Sequence, residues 1–443
     1  MIRLRAVFLV VFFSLTALPA ALPAMAIEVQ RVVSPGGIEA WLVEDHSNPI
    51  IATRLVFRGG AALDPKGREG LANMASTMLD EGAGELDSQA FQQTISDQAI
   101  RLGFSAGRES FSGDLTTLVA HRDQAFRLLR LALTEPRFDA EPLSRMRQHI
   151  LIGLKRGEED PNTLASRALM KTLFPGHPYS RPTKGTLASV AAITADDLRG
   201  FVKRRFGLDN LKIGVVGDIT SKQLGQLLDS TFAGLSKKST PWALPEITPA
   251  ATDATIVIDK DVPQSAIVFA GPGLKRNDPD FYVAHVLNHI LGGGGFTSRL
   301  YQEVREKRGL AYSVSTGLHP LDSSALIFGG AGTANARVGE TLTVLRQQWR
   351  LMAESGVTDN ELADAKTYLT GAFPLRFSSS DRIAGILVGM QLADLGIDYL
   401  DRRNGLIEAV SRQDIARLAK KMINDKRLLV VVAGRPAGMK ATQ

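Results

Sequence analysis

The sequence carries the same helix-and-strand pattern twice, 217 residues apart. In residues 193–219 and 410–436 the second residue, Thr194 or Ser411, carries a hydroxyl and is followed three positions later by an aspartate, an arrangement that caps the start of a helix. Each segment continues as a basic amphipathic helix and then as an apolar strand that stops at a glycine, Gly217 or Gly434. In both segments the glycine lies 23 residues after the hydroxyl residue. Such self-similarity predicts two homologous units.

A second pair of matching segments lies earlier in each half. Residues 54–65 and 266–279 both read as a strand, a glycine break and the start of a helix. Residues 237–253, between the halves, are rich in proline and small polar residues, as linkers are. The strand patterns do not alternate strictly with single helices, as they would in a doubly wound fold. We therefore predict an α+β fold of two homologous domains, each a mostly antiparallel sheet with helices packed on one face.

The first 26 residues read as a secretory signal peptide. They combine a basic start, an apolar run and the small-residue cleavage pattern Ala-Met-Ala at residues 24–26. A transmembrane anchor is the alternative, but prolines interrupt the short apolar run. We expect an exported, periplasmic protein with an N-terminal domain at residues 27–236, the linker at 237–253 and a C-terminal domain at 254–443.

The composition excludes several kinds of chemistry. The chain has no cysteine, so disulfides, thiol catalysis and cysteine-based zinc sites are excluded even though export leads to an oxidising compartment. The net charge is +6, but 52 basic residues are scattered among 46 acidic ones without a basic tract. Nucleic-acid binding is therefore not expected.

Residues 70–84 read as one amphipathic helix. Its apolar positions have the spacing of a stripe that faces a core: Leu71, Met74, Ala75, Met78 and Leu79. The opposite stripe contains Asn73, Ser76 and Thr77. In a zinc peptidase whose helix carries two histidines one turn apart beside a glutamate, the metal ligands and the base would stand at these three positions.

Longer motifs in both halves carry a family resemblance. They are FRGGAALDPKGREGLA at residues 57–72, FPGHPYSRPTKGT at 174–186 and, most clearly, NHILGGGGFTSRLYQEVREKRGLAYSV at 288–314. With the duplication and the linker, the chain resembles the pitrilysin/insulinase family of zinc peptidases, which includes the mitochondrial processing peptidase. The resemblance covers essentially the whole chain after the signal peptide.

The resemblance implies a zinc site that this sequence does not have. The family binds zinc through His-x-x-Glu-His and a later glutamate, and the glutamate between the histidines takes a proton from bound water. Asn73, Ser76 and Thr77 replace the motif residues, and Gly153 stands at the place of the later glutamate. We therefore predict no catalytic zinc and no other cofactor in this chain.

A second feature of the family is present. The family uses an arginine seven residues before a tyrosine to bind substrate and to stabilise the reacting carbonyl, and here these residues are Arg305 and Tyr312. Spacing alone also fits an ordinary helix residue and the start of a core strand. The resemblance favours the functional interpretation, because a phenol can donate to an oxyanion and a guanidinium can hold a carbonyl.

Together these features predict a division of labour. Some members of the family are heterodimers in which one subunit carries the zinc motif and the other the arginine–tyrosine pair. The chain resembles the second kind, so we expect a homologous zinc-bearing partner, peptide substrates and inactivity when the chain is alone. A homodimer of the isolated chain is left open.

Three alternatives remain at this point. The chain could be a non-catalytic scaffold or peptide-binding protein of the same fold. It could use a different metal site built on His285 and His289, which lie four residues apart, although Asn288 beside them cannot act as a base. Residues 107–120 alternate like an edge strand on which an extended peptide could pair, although an ordinary sheet strand fits the pattern equally well.

Overall fold

The computed structural model describes residues 27–442, so the predicted signal peptide lies outside the described part of the chain. No helix among these residues is long and apolar enough to cross a bilayer. The strands are β1 (Gln30–Val33), β2 (Glu39–Glu44), β3 (Ile50–Arg58), β4 (Arg101–Ala106), β5 (Ser110–Leu118), β6 (Leu211–Gly217), β7 (Thr255–Asp259), β8 (Gln264–Pro272), β9 (Ala311–Leu321), β10 (Ser324–Ala334) and β11 (Leu429–Gly434). The helices are α1 (Leu71–Ser76), α2 (Ser88–Asp97), α3 (Arg122–Thr134), α4 (Ala140–Glu159), α5 (Pro161–Leu173), α6 (Leu187–Ala192), α7 (Ala195–Arg205), α8 (Ser221–Phe232), α9 (Phe281–Asn288), α10 (Val338–Ser355), α11 (Asp359–Gly371), α12 (Ser380–Leu392), α13 (Tyr399–Glu408) and α14 (Arg412–Met422).

Each half forms one mixed sheet. The first has the order β1-β2-β6-β3-β5-β4 and the second β7-β11-β8-β10-β9. Apart from β1, the two orders match strand for strand, and each sheet contains one parallel pair, β2–β6 or β7–β11. The predicted α+β fold, with a duplicated and mostly antiparallel sheet, is confirmed.

The repeated helix starts are capped as the sequence predicts. The Asp197 backbone N–H donates to Thr194 Oγ1 at 3.2 Å, and the Thr194 N–H donates to the Asp197 carboxylate at 2.9 Å. Ser411 and Asp414 make the same reciprocal pair at the start of α14. Both caps satisfy backbone donors that an α-helix leaves free at its start.

The glycines that end β6 and β11 are required by their backbone. Gly217 has φ +139° and Gly434 has φ +154°, where side chains are strained. A Cβ on Gly217 would lie 2.0 Å from the Ile50 carbonyl oxygen, and one on Gly434 would lie 2.2 Å from Ser265 Oγ. The duplicated glycines therefore mark the same close approach between neighbouring strands in both halves.

The halves also exchange one helix each. Within each half, helices cover one face of the sheet, and the opposite face receives a helix from the other half. Helix α5 packs on β8 and β11 of the second sheet, and α12 packs on β3 and β6 of the first. Gly214 on β6 permits this approach, because a Cβ there would lie 2.6 Å from the Ala384 carbonyl oxygen of α12. The two sheets are thus held together through buried apolar surface.

The helix predicted for residues 70–84 is shorter than expected. The apolar stripe is buried as predicted, but α1 ends at Ser76. The Ser76 hydroxyl donates to the Asn73 carbonyl at 2.8 Å, and the Thr77 hydroxyl donates to the Met74 carbonyl at 2.9 Å. The hydroxyls compete with backbone N–H groups for the carbonyls that an α-helix would use. The backbone then continues in tighter turns.

The edges of the first sheet are β1 and β4, and the strand within residues 107–120 is an interior one. That strand, β5, pairs with β3 on one side and with β4 on the other. Its alternating sequence reflects two unlike sheet faces, and alternation alone does not distinguish an interior strand from an edge strand. In the second sheet the edge that corresponds to β4 is β9.

Candidate functional site

Asn73 and Ser76 on α1, and Thr77 directly after it, carry no side chain of the family's zinc set. Ser76 is 6% exposed, and its hydroxyl is used by the helix itself, as is that of Thr77. Gly153 lies on α4, which contacts α1, and a Cβ at Gly153 would meet no atom within 4 Å. The fold thus keeps the two helices together, but these positions offer two hydroxyls, an amide and no side chain at Gly153. That donor set does not fit zinc.

Arg305 lies in a cluster of three aromatic rings. It stands on a π-helical turn, Tyr301–Glu306, and its guanidinium carbon is 4.9 Å from the centre of the Tyr301 ring. The Tyr312 ring is 4.7 Å away and the Phe296 ring 5.9 Å away. Stacking on aromatic faces fixes the arginine side chain without using its N–H donors. Glu306 Oε1 lies 3.9 Å from the Arg305 Nε, beyond hydrogen-bond distance, so the donors can serve another group.

Tyr312 is aimed outward by an irregularity of the sheet. In the β9–β10 register Ser313 pairs with Gly332 and Ala311 pairs with Thr333, so Tyr312 is the extra residue of a β-bulge. A bulge redirects a side chain, and Tyr312 is 81% exposed. The structure therefore brings Arg305 and Tyr312 together and presents the tyrosine to solvent on an edge strand.

Phe296 and Tyr301 were missed by the sequence reasoning. Tyr301 is four residues before Arg305, a helical spacing that places side chains side by side and that could have indicated the contact. Its hydroxyl is buried and has no hydrogen-bond partner among the described residues. Phe296 lies across a chain turn, edge-on to Tyr301 at 4.9 Å, so no local spacing predicts it.

The surroundings of His285 and His289 are cationic. Burial, together with the charges of Arg403, His289, Arg376 and Arg276, lowers the pKa of His285 to about 4. His289 stacks on Tyr368 with ring centres 5.1 Å apart, and burial also lowers its pKa. Among residues 27–442 no group of three or more histidine, aspartate and glutamate side chains could hold a metal ion. Neighbouring positive charge disfavours a cation at this pair.

His285 should make stability depend on pH. Its folded pKa of about 4 lies below the ordinary 6.5, so the unfolded chain takes up the proton first as the pH falls. The stability that neutral His285 contributes above pH 6.5 is then lost as the pH falls from 6.5 to about 4. We expect His285 to account for a loss of about 2 kcal/mol between pH 7.5 and pH 5. Urea unfolding at both pH values should show this loss in the wild type and its absence in His285→Gln.

His149→Gln is the matched control, because His149 is exposed on α4. It should keep the wild-type pH dependence. Equal pH dependence in His285→Gln and the wild type would contradict the assignment.

Fold and site together define the class of this protein: a duplicated α+β protein of the metallopeptidase kind in which the arginine–tyrosine pair is present and the metal-ligand positions carry other side chains. Two family models match in turn. The first, Insulinase (Peptidase family M16), matches residues 40–187, and the second, Peptidase M16 inactive domain, matches residues 192–369. The chain belongs to the pitrilysin/insulinase family, M16, and is a zinc-lacking member of it.

Individual relatives agree with this assignment. The Non-peptidase homolog YmxG of Helicobacter pylori is 29% identical over 334 residues, which cover 75% of this chain and 77% of that protein. The solved structure of a peptidase M16 inactive domain from Pseudomonas fluorescens matches with TM-score 0.87 and 28% identity, covering 94% of this chain and 100% of that one. A protease from Helicobacter pylori matches with TM-score 0.83 at 18% identity, over 92% and 99% of the two chains, and supports the fold.

Proposed function

We propose that this chain is the zinc-lacking subunit of an exported heterodimeric metallopeptidase. The observation that carries the proposal is the bulge that exposes Tyr312 beside a stacked Arg305, in a chain whose metal-ligand positions hold Asn73, Ser76, Thr77 and Gly153. In this geometry the pair is suited to act beside a zinc site, which this chain does not itself carry. A homologous partner subunit would supply the zinc, its ligands and the general base.

The residues of this chain would bind and orient the peptide. The Tyr312 hydroxyl can donate a hydrogen bond to the oxygen of the scissile carbonyl, where negative charge develops. The Arg305 guanidinium can donate to a neighbouring backbone carbonyl, since its stacking leaves the N–H donors available. Both groups act without a change in their own protonation.

The edge of the second sheet supports binding of an extended peptide. Strand β9 carries Tyr312, pairs with β10 on one side and has no strand of the described chain on the other. Its unpaired backbone groups can add a peptide strand, which would run past the tyrosine hydroxyl. Substrates are therefore proposed to be peptides bound in extended form.

Mixing the purified chain with a zinc-motif homologue tests the proposal. The purified mature chain should contain no stoichiometric zinc and hydrolyse no peptide. Addition of a zinc-motif homologue from the same genome should give a complex, seen by size-exclusion chromatography, and peptide hydrolysis that a chelator abolishes. Activity with stoichiometric metal in the chain alone would overturn the proposal and direct attention to His285 and His289. Size-exclusion of the chain alone also reports whether it forms homodimers.

A scaffold or peptide-binding protein is the second candidate. It is favoured by the similarity to a relative named as a non-peptidase homolog and by the incomplete metal site. It predicts that the mixture forms a complex and stays inactive, whereas the split-site proposal predicts activity in the same mixture.

A further inference from the structure

A cavity lined by cations lies in the first half, where that half meets Ile258 of the second sheet, and neither Arg305 nor Tyr312 lines it. It has a volume of about 690 Å³ and is bounded by α5, by residues 180–184 and by Ile258 on β7. Cavities at such junctions are common ligand sites. Five lining residues are basic, four carry hydroxyls, one is an amide and none is acidic; the basic ones are Arg108, Arg167, Lys171, Arg181 and Lys184.

Two guanidiniums are fixed by backbone carbonyls. Arg108 donates to the carbonyls of Tyr179 and Arg181 at 2.7 and 3.2 Å. Arg181 donates to the carbonyls of Ala62 and Asp64 at 2.7 and 2.8 Å. The Nε of Arg181 is buried and has no hydrogen-bond partner in the described chain. Carbonyls orient these charges but do not neutralise them.

The other three cations are unpaired within the described chain. Arg167 and Lys171 stand one turn apart on α5, and Lys184 lies in the facing loop. None of the five basic residues has a carboxylate oxygen within 4.0 Å among residues 27–442. Like charges gathered around one cavity repel one another, and an anion bound there would remove that repulsion.

Three acidic groups near the cavity accept hydrogen bonds. Asp160, at the start of α5, accepts from the backbone N–H of Thr163 at 2.8 Å and from its hydroxyl. Glu109, beside Arg108, accepts a hydrogen bond from the Tyr179 hydroxyl and another from the Asp322 backbone at 2.8 Å. The Asp64 carboxylate accepts from the N–H groups of Gly70 and Ala72, and burial raises its pKa to about 7. Five basic lining residues outnumber these three acidic groups, so positive charge around the cavity is in excess.

We propose that this cavity binds a small polyanion carrying phosphate groups. Five positive charges exceed what one carboxylate can neutralise, whereas linked phosphates carry several charges on many acceptor oxygens. Arginine forks and lysine ammonium groups are the side chains that bind phosphate most often, and hydroxyls such as that of Ser166 can complete the contacts. Neither Arg305 nor Tyr312 lines this cavity.

Calorimetric titration of the mature chain with tripolyphosphate tests the proposal. We expect saturable binding of one ligand per chain at moderate salt. The double variant Arg167→Ala/Lys171→Ala should bind at least about tenfold more weakly, a loss of about 1.4 kcal/mol. Alanine suits α5, and neither side chain makes a hydrogen bond within the described chain, so the fold should be kept. Arg108 and Arg181 are left unchanged because they hold backbone carbonyls.

A matched double variant separates a built site from general attraction to a basic protein. Lys222→Ala/Lys237→Ala removes the same charge from exposed positions away from the cavity and should bind tripolyphosphate as the wild type does. An absence of saturable binding would overturn the proposal. So would equal weakening in the two double variants, or saturation by citrate at concentrations where tripolyphosphate does not bind.

Discussion

Replacing Tyr312 by phenylalanine is expected to lower kcat/KM of the complex with the zinc-bearing partner by about 100-fold to 1000-fold, because loss of one donor to an oxyanion has an effect of this size. The ring is retained, so the stacking on Arg305 at 4.7 Å should persist. Because Tyr312 is 81% exposed, removal of the hydroxyl should leave folding unchanged. Peptide hydrolysis by the mixed complex, measured at equal amounts of assembled complex, gives the comparison.

Tyr368→Phe is the matched control. Tyr368 is also exposed, at 60%, and lies in the same half, but it stacks on His289 and not on Arg305. It should retain full activity. Unchanged turnover in Tyr312→Phe would remove the role assigned to this hydroxyl, even if the complex itself proved active.

Replacing Gly217 by alanine is expected to lower the free energy of unfolding by at least about 3 kcal/mol. Alanine at φ +139° is strained, and its Cβ would lie 2.0 Å from the Ile50 carbonyl oxygen, so the β3–β6 ladder must shift. Urea unfolding followed by circular dichroism measures the difference.

Gly103→Ala provides the control within the same sheet. Gly103 lies in β4, and a Cβ there meets no atom within 4 Å. Alanine is more favourable than glycine inside a strand, so this variant should be unchanged or more stable by about 0.5 kcal/mol. Equal destabilisation of both variants would show that the glycine at the end of β6 has no special conformational role.

The family resemblance, and not spacing alone, singled out Arg305 and Tyr312 in the sequence. Arg305 and Tyr312 are seven residues apart, and a π-helical turn followed by a strand brings them together. The exposure of Tyr312 was not predictable, because the bulge that causes it is defined by the pairing of β9 with β10. Phe296 entered the site for a similar reason, through packing of the glycine-rich segment against Tyr301.

Some features of this protein depend on local interactions, and others depend on long-range contacts. The sequence alone determined the duplication, the capped helices that begin after Thr194 and Ser411, the strand ends at Gly217 and Gly434, and the absence of the zinc-binding side chains. Each of these depends on residue identity or on atoms a few positions apart. Only the tertiary structure decided that α5 and α12 exchange sheets and that five cations from three segments between residues 108 and 184 surround one cavity. The helix exchange follows from burying apolar faces against strands of the other half, and no local pattern records either arrangement.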